Sequence, residues 1–109
     1  MIKNHLKLCL VTHIPTTPFS LYEDFILQAI AGGVTSIQLR EKSKSSNEIH
    51  TIGLRLKRLL NPYKIPLIIN DHIDIAKAIN AEGIHLGQSD VSPFFARQLL
   101  GDNKIIGLS

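Results

Sequence analysis

The stretch Val34-Thr35-Ser36-Ile37-Gln38-Leu39-Arg40-Glu41-Lys42 decides the fold. Successive side chains of a strand point to opposite faces. Ile37 and Leu39 therefore share one side, and Ser36, Gln38 and Arg40 share the other. The same division recurs along the chain. Leu67 and Ile69 oppose Ile68 and Asn70, Ile84 and Leu86 oppose His85 and Gly87, and Ile106 and Leu108 oppose Gly107 and Ser109. One face is consistently apolar, as packing against helices demands. The other becomes small or polar towards the C-terminal end of each segment. An open doubly wound sheet, covered by helices on both sides, needs two apolar faces. The lumen of a (β/α)₈ barrel, polar at its C-terminal mouth, fits the pattern better.

Outward from that stretch, strands are expected over 6–12, 34–40, 65–70, 82–86 and 104–108, with helices over 19–31, 46–60, 73–79 and 93–100. Ser20 with Glu23 and Ser45 with Glu48 have capping-box spacing. Gly32-Gly33 and Asn61-Pro62 stop the first two helices, and Ser92-Pro93 opens the last. This βαβαβαβαβ order implies a parallel sheet with right-handed crossovers. Five strands do not close an eight-stranded barrel, which takes about 250 residues. Residues 1–109 thus read as a single partial TIM-type (β/α)₈-barrel domain, the amino-terminal half, with about the first five strands and four helices. Alone it leaves strand edges and inward faces bare. It is expected either to be a piece of a longer barrel or to self-associate with another copy.

The net charge is +3, aromatics are 6% with no Trp, and the cations are scattered, which gives no stripe for a nucleic-acid partner. A mild positive balance suits anionic small molecules. No apolar run approaches the roughly 18 residues of a membrane span, and Met1-Ile2-Lys3-Asn4-His5 does not open a secretory signal. One cysteine, Cys9, makes neither an internal disulfide framework nor a cysteine metal cluster, so a cytoplasmic protein is expected, with Cys9 packed as a small hydrophobe.

Polar residues collect where strands end. Gln38 and Arg40 point inward, and Lys42 follows in the loop; the cluster is either a diphosphate site, which a guanidinium fork and an ammonium together suit, or a solvated strand end. Asn70 ends the third strand inward. Asp71 after it has two compatible readings, a carboxylate for Mg²⁺ or a cap for the short helix that follows. Asp90, in Gly87-Gln88-Ser89-Asp90, is either a second carboxylate for the same ion or part of a polar turn. Gly87 allows a ligand or backbone to approach closely, and Ser109 lies inward with a hydroxyl for a phosphate. The five histidines lack HxH or HExxH spacing, against zinc. His85 reads as a hydrogen-bonded core histidine, His72 as loop-exposed, and Arg55, Lys57 and Arg58 as a solvated helix face.

Ala31-Gly32-Gly33-Val34 with Gln38-Leu39-Arg40-Glu41-Lys42, Pro66-Leu67-Ile68-Ile69-Asn70-Asp71, Gly83-Ile84-His85-Leu86-Gly87-Gln88-Ser89-Asp90 and Ile105-Ile106-Gly107-Leu108-Ser109 resemble, in order, the strand signatures of the thiamine-phosphate synthase family. The resemblance implies a cytosolic (β/α)₈-barrel transferase. Such an enzyme joins 4-amino-2-methyl-5-hydroxymethylpyrimidine diphosphate to thiazole phosphate, giving thiamine phosphate and pyrophosphate. It implies that Gln38, Arg40 and Lys42 contact the pyrimidine diphosphate, Asn70 holds the pyrimidine, Asp71 and Asp90 ligate Mg²⁺, and Ser109 touches the diphosphate end. His72 stands where the family usually has Arg, His13 where it commonly has an acid, and Glu82 where Asp is usual. The family's thiazole-phosphate site and a further diphosphate lysine lie on later strands, so little or no synthase activity is expected of these 109 residues alone. Two other readings stand beside this one: a thiazole tautomerase-like relative, and a non-catalytic half-barrel module.

Overall fold

The computed structural model of the chain describes residues 8–12 and 19–109. Strands β1 (Cys9–Thr12), β2 (Ser36–Leu39), β3 (Leu67–Asn70), β4 (Gly83–Leu86) and β5 (Ile105–Leu108) form one sheet in the order β1-β2-β3-β4-β5, every neighbouring pair parallel. Helices α1 (Phe19–Ala31), α2 (Ser46–Leu60), α3 (Ile73–Ala78) and α4 (Pro93–Leu100) connect them. A doubly wound sheet reverses its strand order at a switch point. This sheet never reverses, so the order is that of a barrel opened out, and the sequence-based preference for a barrel segment holds.

Register keeps the two faces coherent. Ile37 pairs with Leu67, and Ile69 with Ile84. These residues, with Leu39 and Leu86, are buried against Ile26, Ile49, Leu56, Leu60, Ile75, Ile79 and Ala96 of the helical layer and its ends. Each such aliphatic side chain contributes about 1.5–3 kcal/mol on burial. On the inner face Gln38 pairs with Ile68, and Asn70 with His85. Close strand approach shapes that face: a Cβ on Gly83 would lie 2.8 Å from the Ile105 carbonyl oxygen.

Helix starts follow local chemistry unevenly. Ser45 accepts from the Glu48 N–H at 3.2 Å and donates its own N–H to the Glu48 carboxylate at 3.1 Å, a complete capping box. Ser92 accepts from the Phe95 N–H at 3.1 Å, with Pro93 opening α4 as expected. Ser20 does not cap α1, because the helix already includes it. Lys57 is not on a solvated face: its ammonium reaches Asn80 and, at 3.3 Å, Glu82, while Arg55 lies 3.8 Å over the Phe19 ring. Cys9 is exposed rather than packed, since it points to the inner face on the edge strand β1. His13 and the first residues of the expected 6–12 strand lie outside the described residues. Among the described residues no helix is long and apolar enough to cross a membrane.

Candidate active site

Parallel strands bring their C-terminal ends to one pole. There Arg40 and Lys42 follow β2, Asp71 follows β3, the 87–90 turn follows β4, and Ser109 follows β5. Gln38 and Asn70 sit below this rim on the inner face, each 8% exposed. Their side-chain amides meet at 2.9 Å. Turning the Asn70 amide over places its nitrogen 3.2 and 3.1 Å from the two Asp71 carboxylate oxygens and its oxygen towards Gln38. That orientation sets a donor against the carboxylate, and it requires Gln38 to present its own nitrogen, so the two amides turn as a pair.

Asp71 has a φ of +70°, a left-handed conformation that Asp tolerates better than most residues. His72 N–H donates to the Asn70 carbonyl at 2.8 Å across it, closing a three-residue turn of a strained kind. Asp71 N–H donates to the His85 carbonyl of β4 at 2.9 Å, which anchors the turn. The helix-cap reading of Asp71 fails here: His72 occupies the N-cap of α3, and no side chain caps it. The Asp71 carboxylate instead lies 2.5 Å from Lys42 Nζ, on the side of the rim that also carries Asp90. Partial burial would raise the Asp71 carboxyl. The Lys42 hydrogen bond, the Asp90 contact and the charges of Lys42 and His72 outweigh it and hold the group below the usual carboxylate value.

Asp90 is fixed by its own turn, its Oδ2 accepting the Gly87 N–H at 2.7 Å. The group that approaches Gly87 closely is thus the Asp90 carboxylate, 3.3 Å from where a Cβ would stand. Arg40 is exposed at the rim, its backbone N–H bonded to the Thr12 carbonyl at 2.8 Å. Ser109 Oγ lies 2.5 Å from His85 Nε2, and its N–H donates to the Leu86 carbonyl at 2.9 Å. His85 is hydrogen-bonded as expected but half-buried. Its ring fills the space beside Gly107, where a Cβ would come within 2.7 Å of Nδ1. His72 is half-buried rather than exposed.

Two groups near the rim escaped the sequence reading. Glu41 is 5% exposed and pairs with Lys44 at 3.4 Å. The alternation that sends Ile37 and Leu39 outward also sends Glu41 there, so the signal was present. Tyr22 Oη lies 2.5 Å from Thr12 Oγ1. Burial raises the Tyr22 hydroxyl, the Thr12 bond partly offsets this, and the Glu41 charge adds to the rise.

Residues 8–109 match the family model described as thiamine monophosphate synthase. The chain belongs to this family. A thiamine-phosphate synthase of Campylobacter jejuni is 48% identical over 112 residues, covering 99% of this chain and 52% of that protein. Another, of Clostridium acetobutylicum, is 58% identical over 84 residues, covering 77% of this chain and 40% of that protein. The solved structure of a thiamine phosphate pyrophosphorylase from Pyrococcus furiosus superposes with a TM-score of 0.82 at 29% identity, over 99% of this chain and 52% of that one. The chain spans about half the length of the relatives it matches.

Asp71 and Asp90 present oxygen donors from separate backbone turns, a donor type that a hard divalent cation accepts. No group of three or more His, Cys, Asp and Glu side chains converges among the described residues. A pair of protein carboxylates is a donor set that Mg²⁺ commonly takes, its other ligands being substrate phosphates and water.

Proposed function

We propose that the chain provides the pyrimidine-diphosphate side of a thiamine-phosphate synthase site. The observation that carries this reading is the Lys42–Asp71 pair, 2.5 Å apart, with the Asp90 turn at the same mouth of the strands that hold the Gln38–Asn70 amide pair. Asp71 and Asp90 would hold Mg²⁺. When bound, that ion neutralises charge developing on a departing diphosphate. Arg40 and Lys42 present donors to the diphosphate oxygens. Gln38 and Asn70 offer a paired donor and acceptor to the aminopyrimidine, and the Ser109 hydroxyl, oriented by His85, faces the diphosphate end.

In the proposed reaction the bond between the pyrimidine methylene carbon and the diphosphate oxygen breaks first. Its electron pair leaves with pyrophosphate. The thiazole nitrogen then closes a C–N bond on the resulting cationic carbon, so no protein nucleophile is needed. Tautomerisation of a thiazole has no use for a carboxylate pair flanked by diphosphate-facing cations, which is why the synthase reading stands ahead of the tautomerase one. The substrates are then soluble phosphates, and with a single cysteine in the chain a cytoplasmic location goes with this reading.

Thermal unfolding with ligands tests it. Binding to the folded state raises Tm by mass action, so Mg²⁺ with pyrophosphate should stabilise the chain more than the sum of either alone. Additive or absent responses contradict the proposal. Exposed Val11, Leu21 and Phe25 at one flank and Phe94, Phe95 and Leu108 at the other support self-association as a further part of the reading. Sedimentation equilibrium showing only monomer across a wide concentration range would remove that part alone.

A further inference from the structure

We propose that Lys42 is a resident counter-ion that changes partners. Its ammonium holds Asp71; when a divalent cation takes the carboxylates, it moves to the diphosphate, so that metal and diphosphate load together. The inference rests on the site reading above and adds an exchange between two of its residues.

Four observations support it. First, Lys42 Nζ lies 2.5 Å from Asp71 Oδ2. A metal ion on that oxygen and an ammonium against it would be like charges in contact, so the two occupants exclude each other. Second, the Lys42 side chain is 54% exposed, against 26% for Asp71, and it stems from the segment between the end of β2 and the start of α2. A long flexible stem in such a place can reorient without moving the fold. Third, Asp71 cannot follow it, because its turn is anchored to the His85 carbonyl at 2.9 Å. Fourth, the neighbouring carboxylate of Glu41 is buried and turned to Lys44 at 3.4 Å. A displaced Lys42 is therefore directed to the anion that arrives with the metal. The exchange makes the two ligands cooperative, and linkage requires the enhancement to be reciprocal.

Calorimetric titration of Mg²⁺ into the chain and into K42Q and K42R, each with and without saturating pyrophosphate, tests the exchange. Without pyrophosphate, K42Q should bind Mg²⁺ about two- to fivefold more tightly, the worth of a solvent-facing ion pair. The enhancement of Mg²⁺ affinity by pyrophosphate should fall about tenfold or more in K42Q, the scale of a lost charged hydrogen bond, and K42R should retain most of it. K42Q binding Mg²⁺ alone no better than the parent chain overturns the inference. So does an enhancement that K42Q leaves intact, although the site reading then survives. A parent chain with no mutual enhancement removes the site reading and this inference together.

Discussion

The two ends of the same strands use charge in opposite ways. At the N-terminal pole Glu82 accepts the Leu67 N–H at 2.9 Å and the Lys57 ammonium at 3.3 Å, while Lys57 also donates to the Asn80 carbonyl. Lys104 reaches the Asn80 side chain at 2.6 Å, and its ammonium is lowered by burial and by the nearby Lys57, with Glu82 partly compensating. These bonds tie α2 to the segments that open β3, β4 and β5. At the C-terminal pole the exposed Lys42 lies against Asp71 on a left-handed turn, with Asp90 held by its own turn after β4. Backbone strain of this kind clusters at functional sites. The first pole reads as stability and the second as function, the usual division in a barrel of this type.

The largest effect that separates the poles is expected from Asp71→Asn or Asp90→Asn. Each should weaken Mg²⁺-dependent pyrophosphate binding by at least the roughly 10–100-fold that even outer partners of a metal site are worth. Chemical denaturation of Asp71→Asn should show stability changed by no more than about 1 kcal/mol, since an exposed ion pair contributes little. A large stability loss with binding intact would make the upper pole structural. Glu82→Ala is the converse. It leaves the Leu67 N–H of a fully buried residue without its carboxylate and should cost about 1–3 kcal/mol. Mg²⁺-dependent pyrophosphate binding should stay within about twofold in calorimetry.

Ser45→Ala sharpens the comparison, because it removes a purely structural device at the functional pole. It should cost about 1 kcal/mol, the usual worth of an N-cap, with binding unchanged in the same titration. The smallest effect is in acid. The Asp71 carboxyl lies lower in the folded chain than its ordinary value of 3.8. Its contribution to stability is thus complete above that ordinary value and is lost as pH falls through the lower folded one. Denaturation curves below pH 3.8 should fall less steeply for Asp71→Asn than for the parent chain; identical slopes would contradict the assignment.

Much of this division was legible in the sequence. Period-two alternation in 34–42 separated the helix-facing Ile37 and Leu39 from the inward Gln38, and parallel topology then placed Arg40, Lys42, Asp71 and Asp90 at one pole. The capping box at Ser45 was local chemistry, and it formed as written. What could not be read were contacts between segments far apart in the chain: Lys42 on Asp71, Lys57 on Glu82, and the His85 ring in the space beside Gly107. Helical periodicity assigned Lys57 to solvent because it carries no information about Glu82, which is brought beside it only when β4 pairs with β3. The Asp71 cap reading failed for a related reason. A residue before a short helix ordinarily caps it, and only the anchor to β4 turns this carboxylate away.

The central claim is tested most directly by diffraction from crystals of the chain grown with Mn²⁺ and pyrophosphate, using the anomalous signal of the metal. The account predicts a metal peak within coordinating distance of both Asp71 and Asp90 and of a pyrophosphate oxygen. Pyrophosphate bound with the metal peak away from both carboxylates would contradict it.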